Sequence, residues 1–178
     1  PVDAEKVART DDVDSATVDM RNPIYKKGEH ARYIYSIQPS ILKLKDGRLQ
    51  VLMRTHNAKL ATSFSSDGGD TWSKVTLLDI ENNQSGTDAV TLKDGRHVLI
   101  YNNFETLPGT KKGPRTPLSL AISDDGTHWK HILTLEDSPI NQYSYPGIIE
   151  GKDGKLHCIY TWRRQRVAYK EVDLKKLK

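Results

Sequence analysis

The sequence predicts an all-β protein, part of a β-propeller of four-stranded antiparallel blades, and three observations carry that prediction. The stretch SSDGGDTW at Ser65–Trp72 returns in nearly the same order as SDDGTHW at Ser123–Trp129. Three Asp-Gly pairs, Asp46-Gly47, Asp94-Gly95 and Asp153-Gly154, each stand between two apolar runs. No segment holds a long 3.6-residue apolar period, so helix is minor. Copies of one short-stranded unit at such spacing mark stacked repeats. A β-sandwich with similar hairpins is the competing architecture. The shared order, length and turn chemistry of the repeats favour blades.

Each repeat opens on a strand rich in β-branched residues and leucine, and an Asp-Gly turn closes that strand into a hairpin. The second strands follow as RLQVLMR, RHVLIYN and KLHCIYTW, and the third as KLATSFS, PLSLAIS and RVAYKEV. In the first two repeats a fourth strand follows the tryptophan. The expected units are therefore blades over 38–80 and 81–136 and a last, incomplete blade over 137–178. Residues 1–37 are expected to form part of a preceding or closing blade.

Composition narrows the partners. Lys and Arg outnumber Asp and Glu by 27 to 23 in 178 residues, and the cations are scattered. That mild excess suits acidic small molecules better than nucleic acid, which a basic stripe would announce. Cys158 is the lone cysteine, so no internal disulfide forms. No apolar run is long enough to span a membrane as a helix. The opening PVDAEKVARTDDVDS lacks an apolar signal core. This leaves an intracellular protein, or one whose signal was removed or lies outside this sequence. A phosphate-cradling glycine loop, zinc-spaced Cys and His and a serine elbow are all missing. His30 and His56 have no ligand-spaced company. No metal and no cofactor is expected.

The tryptophan-ended element resembles the Asp-box of the sialidase-like superfamily, in the branch described as predicted neuraminidases. Ser65, Asp67, Gly69, Thr71 and Trp72 meet the box in full, and Ser123, Asp125, Gly126 and Trp129 meet a copy one residue shorter. Its physics is structural: the Asp holds backbone N–H groups, the Gly takes a conformation others resist, and the Trp packs between strands. The resemblance implies six blades, of which this chain supplies about three. The expectation is the C-terminal half of a longer protein, or assembly with another chain. A secreted or periplasmic location also follows from the resemblance.

Blade geometry sorts the polar residues. If the first strand starts at the top, the Asp-Gly turns and boxes lie at the bottom. The top then gathers Gln38, Arg54, Thr55 and His56; Asp88, Asn102, Asn103 and Arg115; and Tyr143, Tyr145, Trp162, Arg163 and Arg164. Guanidinium groups bind a carboxylate through paired hydrogen bonds and so suit an acidic sugar.

The resemblance assigns roles to some of these. Sialidases hold the carboxylate with an arginine triad and attack with a tyrosine activated by a glutamate. By position, Arg54 and Arg115 match two of the arginines and Tyr143 matches the tyrosine, while Gln38 stands where the glutamate is expected. Glutamine cannot accept a proton, and Asp88 is the candidate substitute. Tyr145, Trp162, Arg163 and Arg164 are expected to touch the ligand. Each also has a plainer reading, as strand cap, inner-strand packing or edge charge. The implied activity is a sialidase-like glycoside hydrolase on an acidic glycan or oligosaccharide. A uronate lyase using Tyr143 as base and a non-catalytic glycan-binding propeller are the rivals.

Overall fold

The computed structural model describes residues 34–106, 113–139 and 142–177. Most of the 1–37 segment lies outside them; its end, Ser36–Ile37, begins the first strand. The first sheet orders β1 (Ser36–Lys43), β2 (Leu49–Thr55), β3 (Lys59–Ser65) and β4 (Thr76–Glu81) side by side. The second repeats this with β5 (Asp88–Thr91), β6 (His97–Tyr101), β7 (Leu118–Ser123) and β8 (Lys130–Glu136). The third has β9 (Tyr143–Glu150), β10 (Leu156–Trp162) and β11 (Arg166–Val172) among the described residues. All neighbours pair antiparallel.

The second sheet is sandwiched, and its sequence says so. β6 reads HVLIY and is buried along its whole length. Successive side chains leave opposite faces of a strand, so a doubly covered strand is apolar throughout. Leu99 and Tyr101 join Leu42, Leu52 and Leu60 of the first sheet. Val98 and Ile100 join Tyr143, Ile148, Leu156, Cys158 and Tyr160 of the third. Each buried leucine contributes roughly 1.5–3 kcal/mol. Burial pushes the Cys158 thiol up to about 11, so it behaves as an inert core group.

The two Asp-boxes link β3 to β4 and β7 to β8. In the first, Thr71 donates to Asp67 through its N–H (2.9 Å) and its hydroxyl (2.5 Å), while Gly69 N–H donates to Ser65 Oγ and Trp72 Nε1 to Gly69 O. In the second, Thr127 and His128 N–H groups both donate to Asp125 at 2.8 Å, and the His128 ring takes the place of the Thr71 hydroxyl. The second box also joins two blades. Gly126 has φ +75°, and a Cβ there would lie 1.9 Å from Gln50 Oε1. Gln50 cannot retreat: it is wholly buried, and its amide donates to Thr62 Oγ1 and Gly126 O.

Two predictions follow from these turns. Gly126→Ala should cost on the order of 3 kcal/mol, from left-handed strain plus overpacking, read as a lowered thermal midpoint. Asp67 sits far below its ordinary 3.8, chiefly because the Thr71 hydroxyl and N–H and the Ser65 hydroxyl donate to it. Its stabilisation is present above the unfolded value and is lost as pH falls through the lower folded value. Acid titration of stability should therefore show a smaller loss below pH 3.8 for Thr71→Val than for the wild type.

Candidate functional site

Three positions define one end of the sheets. Gln38, Gly86 and Tyr145 each stand eight residues ahead of their blade's turn aspartate, Asp46, Asp94 or Asp153. They meet in space. A Cβ built on Gly86 would lie 3.0 Å from Gln38 Oε1 and 3.5 Å from Tyr145 Cδ1. The glycine therefore leaves room for the other two side chains.

Gln38 and Tyr145 share a strained local geometry. Their φ angles are +55° and +51°, each precedes a proline, and the strand register slips beside each. A bulge re-aims a side chain out of the regular alternation, and non-glycine residues at positive φ cluster at functional sites. Tyr145 is 54% exposed as a result.

Two guanidinium groups flank this pair. Arg54, at the end of β2, is buried, and its Nη1 donates to Gln38 Oε1 at 2.6 Å. Its buried Nε has no hydrogen-bond partner among the described residues, an orphan that a ligand oxygen would satisfy. Arg115 is also buried, and its guanidinium carbon stands 4.9 Å from the Tyr145 ring centroid. Its carbonyl accepts from Tyr143 N–H at 2.9 Å, which fixes the arginine to the start of β9. The arrangement suits a carboxylate beside an exposed phenol.

The other expected residues fall elsewhere. Tyr143 is 1% exposed and packs edge-on against Tyr160, with ring centroids 6.3 Å apart. It belongs to the core between the second and third sheets because its register opposite Trp162 turns it inward. Asp88 is an anchor: Oδ1 accepts from Ser40 Oγ (2.8 Å) and Ala89 N–H (2.9 Å), and Oδ2 from Ile148 N–H (2.9 Å). Asn102 donates to Pro117 O and Tyr143 O, and Thr55 is buried in the β2–β3 turn. Trp162, Arg163 and Arg164 form the β10–β11 turn, at the rim and bonded to Ser138 and Gln142. Sequence reasoning passed over Gly86 and set Tyr143 ahead of Tyr145. Spacing from the Asp-Gly turn and the shared following proline pick out both.

One group with metal-ligating atoms occurs among the described residues: Asp153, His157 and Glu171, at the opposite end of the third sheet. Lys155 pairs with Glu171, and both His157 ring nitrogens are engaged by Tyr169 and Asp153. Its charges are thus met internally.

The BNR repeat-like domain model matches residues 4–158. The chain belongs to that family. It is 26% identical over 151 residues to an anhydrosialidase of Macrobdella decora, covering 76% of this chain and 20% of the relative. The chain thus spans about a fifth of that relative's length. Among solved structures, the leech intramolecular trans-sialidase complexed with 2,7-anhydro-Neu5Ac aligns with a TM-score of 0.63 at 21% identity, over 78% of this chain and 24% of that one. The intramolecular trans-sialidase of Ruminococcus gnavus gives 0.61 at 22% identity, over 79% and 33%. NanB sialidase of Streptococcus pneumoniae gives 0.60 at 24% identity, over 79% and 24%. The three sheets of this BNR chain correspond to part of a sialidase propeller, and the family resemblance is to sialidase-like glycoside hydrolases at low identity.

Asp88→Ala should lower stability by roughly 2–4 kcal/mol, because two cross-strand hydrogen bonds to a charged acceptor disappear. Asp88→Asn, which still accepts at one oxygen, should lose about half of that in the same denaturant titration.

Proposed function

We propose that the protein is a sialidase-like glycoside hydrolase acting on a carboxylate-bearing sugar of a glycan. Arg54 and Arg115 hold the carboxylate, and Tyr145 meets the anomeric centre. The observation that supports this is that buried Arg54 reaches Gln38 while buried Arg115 lies beside the exposed ring of Tyr145. Buried arginines bind a carboxylate strongly because the low local dielectric enlarges the charge-assisted hydrogen bonds.

Gln38 changes the proton chemistry. A tyrosine hydroxyl, with pKa near 10, needs a neighbour to take its proton. The Gln38 amide accepts from Arg54 and orients it, but takes no proton. Asp88 spends its carboxylate on three donors. The proton acceptor then falls to the blades that complete the ring, on the same or another chain. Two exposed apolar surfaces suit such blades: Ile37 and Ile41 on the first sheet, and Ile149, Ile159, Val167 and Tyr169 on the third.

Gln38 also favours a second reading. In a lyase the arginines neutralise a uronate carboxylate and Tyr145, as a phenolate supported by the Arg115 cation beside it, takes the proton from the carbon next to that carboxylate. No glutamate is needed there.

The test compares wild type, Tyr145→Phe, Tyr143→Phe and Arg54→Ala on sialosides and uronate oligosaccharides, with products read by mass. Release of the free acid, lost in Tyr145→Phe and kept in Tyr143→Phe, is the expected result. Arg54→Ala should weaken binding by roughly 10–100-fold. A product one water lighter that absorbs in the ultraviolet moves the case to elimination. The same mass without absorbance points to intramolecular transfer, the activity named for the leech relative. Binding without turnover leaves a glycan-binding propeller. Binding indifferent to Arg54 defeats the carboxylate assignment.

A further inference from the structure

Two of the described hairpin turns carry an arginine together with its own anion. Arg48 and Arg96, each just after a hairpin turn, pair with Asp46 and Asp94 two residues earlier, both at 2.7 Å. Lys59 pairs with Asp79 and Glu81, Lys155 with Glu171 and Lys170 with Glu136. The β10–β11 turn breaks the pattern. Arg163, Arg164 and Arg166 fall within four positions, and none of them has an ion-pair partner among the described residues.

Their geometry concentrates the charge. The guanidinium carbons of Arg163 and Arg166 lie 4.3 and 4.1 Å from the centroid of the same Trp162 ring. An indole attracts a cation to its face, and here one indole gathers two. Arg163 Nη2 donates to Ser138 Oγ at 3.2 Å, and Arg164 Nε to Gln142 Oε1 at 2.9 Å, both neutral acceptors. Arg163 Nε is buried with no hydrogen-bond partner among the described residues. Like charges held this close repel unless an anion comes between them.

The backbone adds a second observation. Gln165 N–H donates to Trp162 O at 3.0 Å, closing a tight turn with Arg163 and Arg164 at φ +52° and +57°. Such a turn favours Asn-Gly at its centre, because both central residues need positive φ. Arginine at both positions carries strain that glycine would avoid. Strain of this kind at an unneutralised cluster marks a site built for a ligand.

We propose that this turn is a second anion site, which takes the acidic group of a neighbouring sugar. The protein's substrate is then a polyanionic glycan, acidic at successive residues and not only at the one in the pocket. The inference rests on the carboxylate pocket proposed for Arg54 and Arg115. Placement supports it: Trp162 pairs with Tyr143 on β9, two residues before Tyr145, and neighbouring strands lie only about 4.8 Å apart. The turn therefore rises at the rim of the same end of the molecule, one strand outward from the pocket. The carboxylate of a uronate or sialate and the sulfate of a modified sugar share the needed chemistry, a planar or trigonal face of oxygens for a guanidinium fork.

The test is a double variant, Arg163→Gly with Arg164→Gly, since glycine suits both φ values and keeps the turn. Binding is measured for an oligosialate, an oligogalacturonate, a sulfated oligosaccharide and the sialate and galacturonate monosaccharides, at low and raised salt. The expected result is roughly a 10–100-fold loss for an acidic oligosaccharide, with a shallower salt dependence. Monosaccharide binding should not change, and the thermal midpoint should stay or rise. The oligosaccharide that loses most identifies whether carboxylate or sulfate is the natural partner. A falling midpoint would show the arginines to be structural and overturn the proposal. So would an unchanged oligosaccharide affinity, an equal loss for the monosaccharide, or single-stranded DNA bound as tightly as any glycan. The two readings fail separately. If the wild type binds no monosaccharide but holds an oligosaccharide through the turn, the Arg54 pocket fails and the turn stands. If monosaccharide binding depends on Arg54 and the turn adds nothing, the pocket stands alone.

Discussion

The carboxylate of Asp88 is the joint on which the three sheets converge. It accepts from Ser40 on β1 and from the Ile148 backbone on β9 while sitting on β5 itself. These are the innermost strands of their sheets, and hydrogen bonds to a charged acceptor are about twice as strong as neutral ones. The bonds fix how far each strand stands from the next. That spacing lets Gln38, Gly86 and Tyr145 meet, and the meeting point is where Arg54 and Arg115 close in. A carboxylate that looked like spare chemistry in the sequence is the frame for the chemistry.

The two ends of the sheets divide the labour. At the Asp-box end, the turn charges are met locally: Asp67 by Thr71 and Ser65, Asp125 by the backbone and His128, Arg48 and Arg96 by their own turn aspartates. Such self-contained turns give the blade rigidity and little else. At the other end Arg54 and Arg115 are buried, the first against the Gln38 amide and the second beside the Tyr145 ring. Desolvated cations are costly to keep, which is the physical ground for reading these two arginines as ligand contacts.

The repeats were legible because their signals are local. Asp-Gly turns, apolar alternation and the Asp-box each occupy a few consecutive residues, and the structure returns them as hairpins and box turns in the predicted order. The sandwiched second sheet also has a local signal, the apolar run Val98–Tyr101 within β6. The site was harder, because it depends on departures from regular alternation. Counting along an ideal strand puts Tyr143 at the top of the innermost strand. A bulge beside Tyr145 turns that residue outward and leaves Tyr143 in the core. Gly86 offers no side chain to notice, and its contribution is empty space. Asp88 advertised a carboxylate, but its three donors, two of them backbone N–H groups, come together only in the folded chain.

Gln38 is the residue where sequence and structure speak to the same point. A glutamate there would place a negative charge against Arg54 and cancel part of its pull on a ligand carboxylate. The amide keeps the hydrogen bond at 2.6 Å and leaves the arginine its full charge. Under the proposed function, glutamine at this position gives up activation of Tyr145 and strengthens the anion pocket. The arginines of the β10–β11 turn fit the same reading, since they add positive charge with no ion-pair partner among the described residues. On the proposed reading the site is organised first around holding negative charge, and its chemistry then depends on what the completing blades bring to Tyr145.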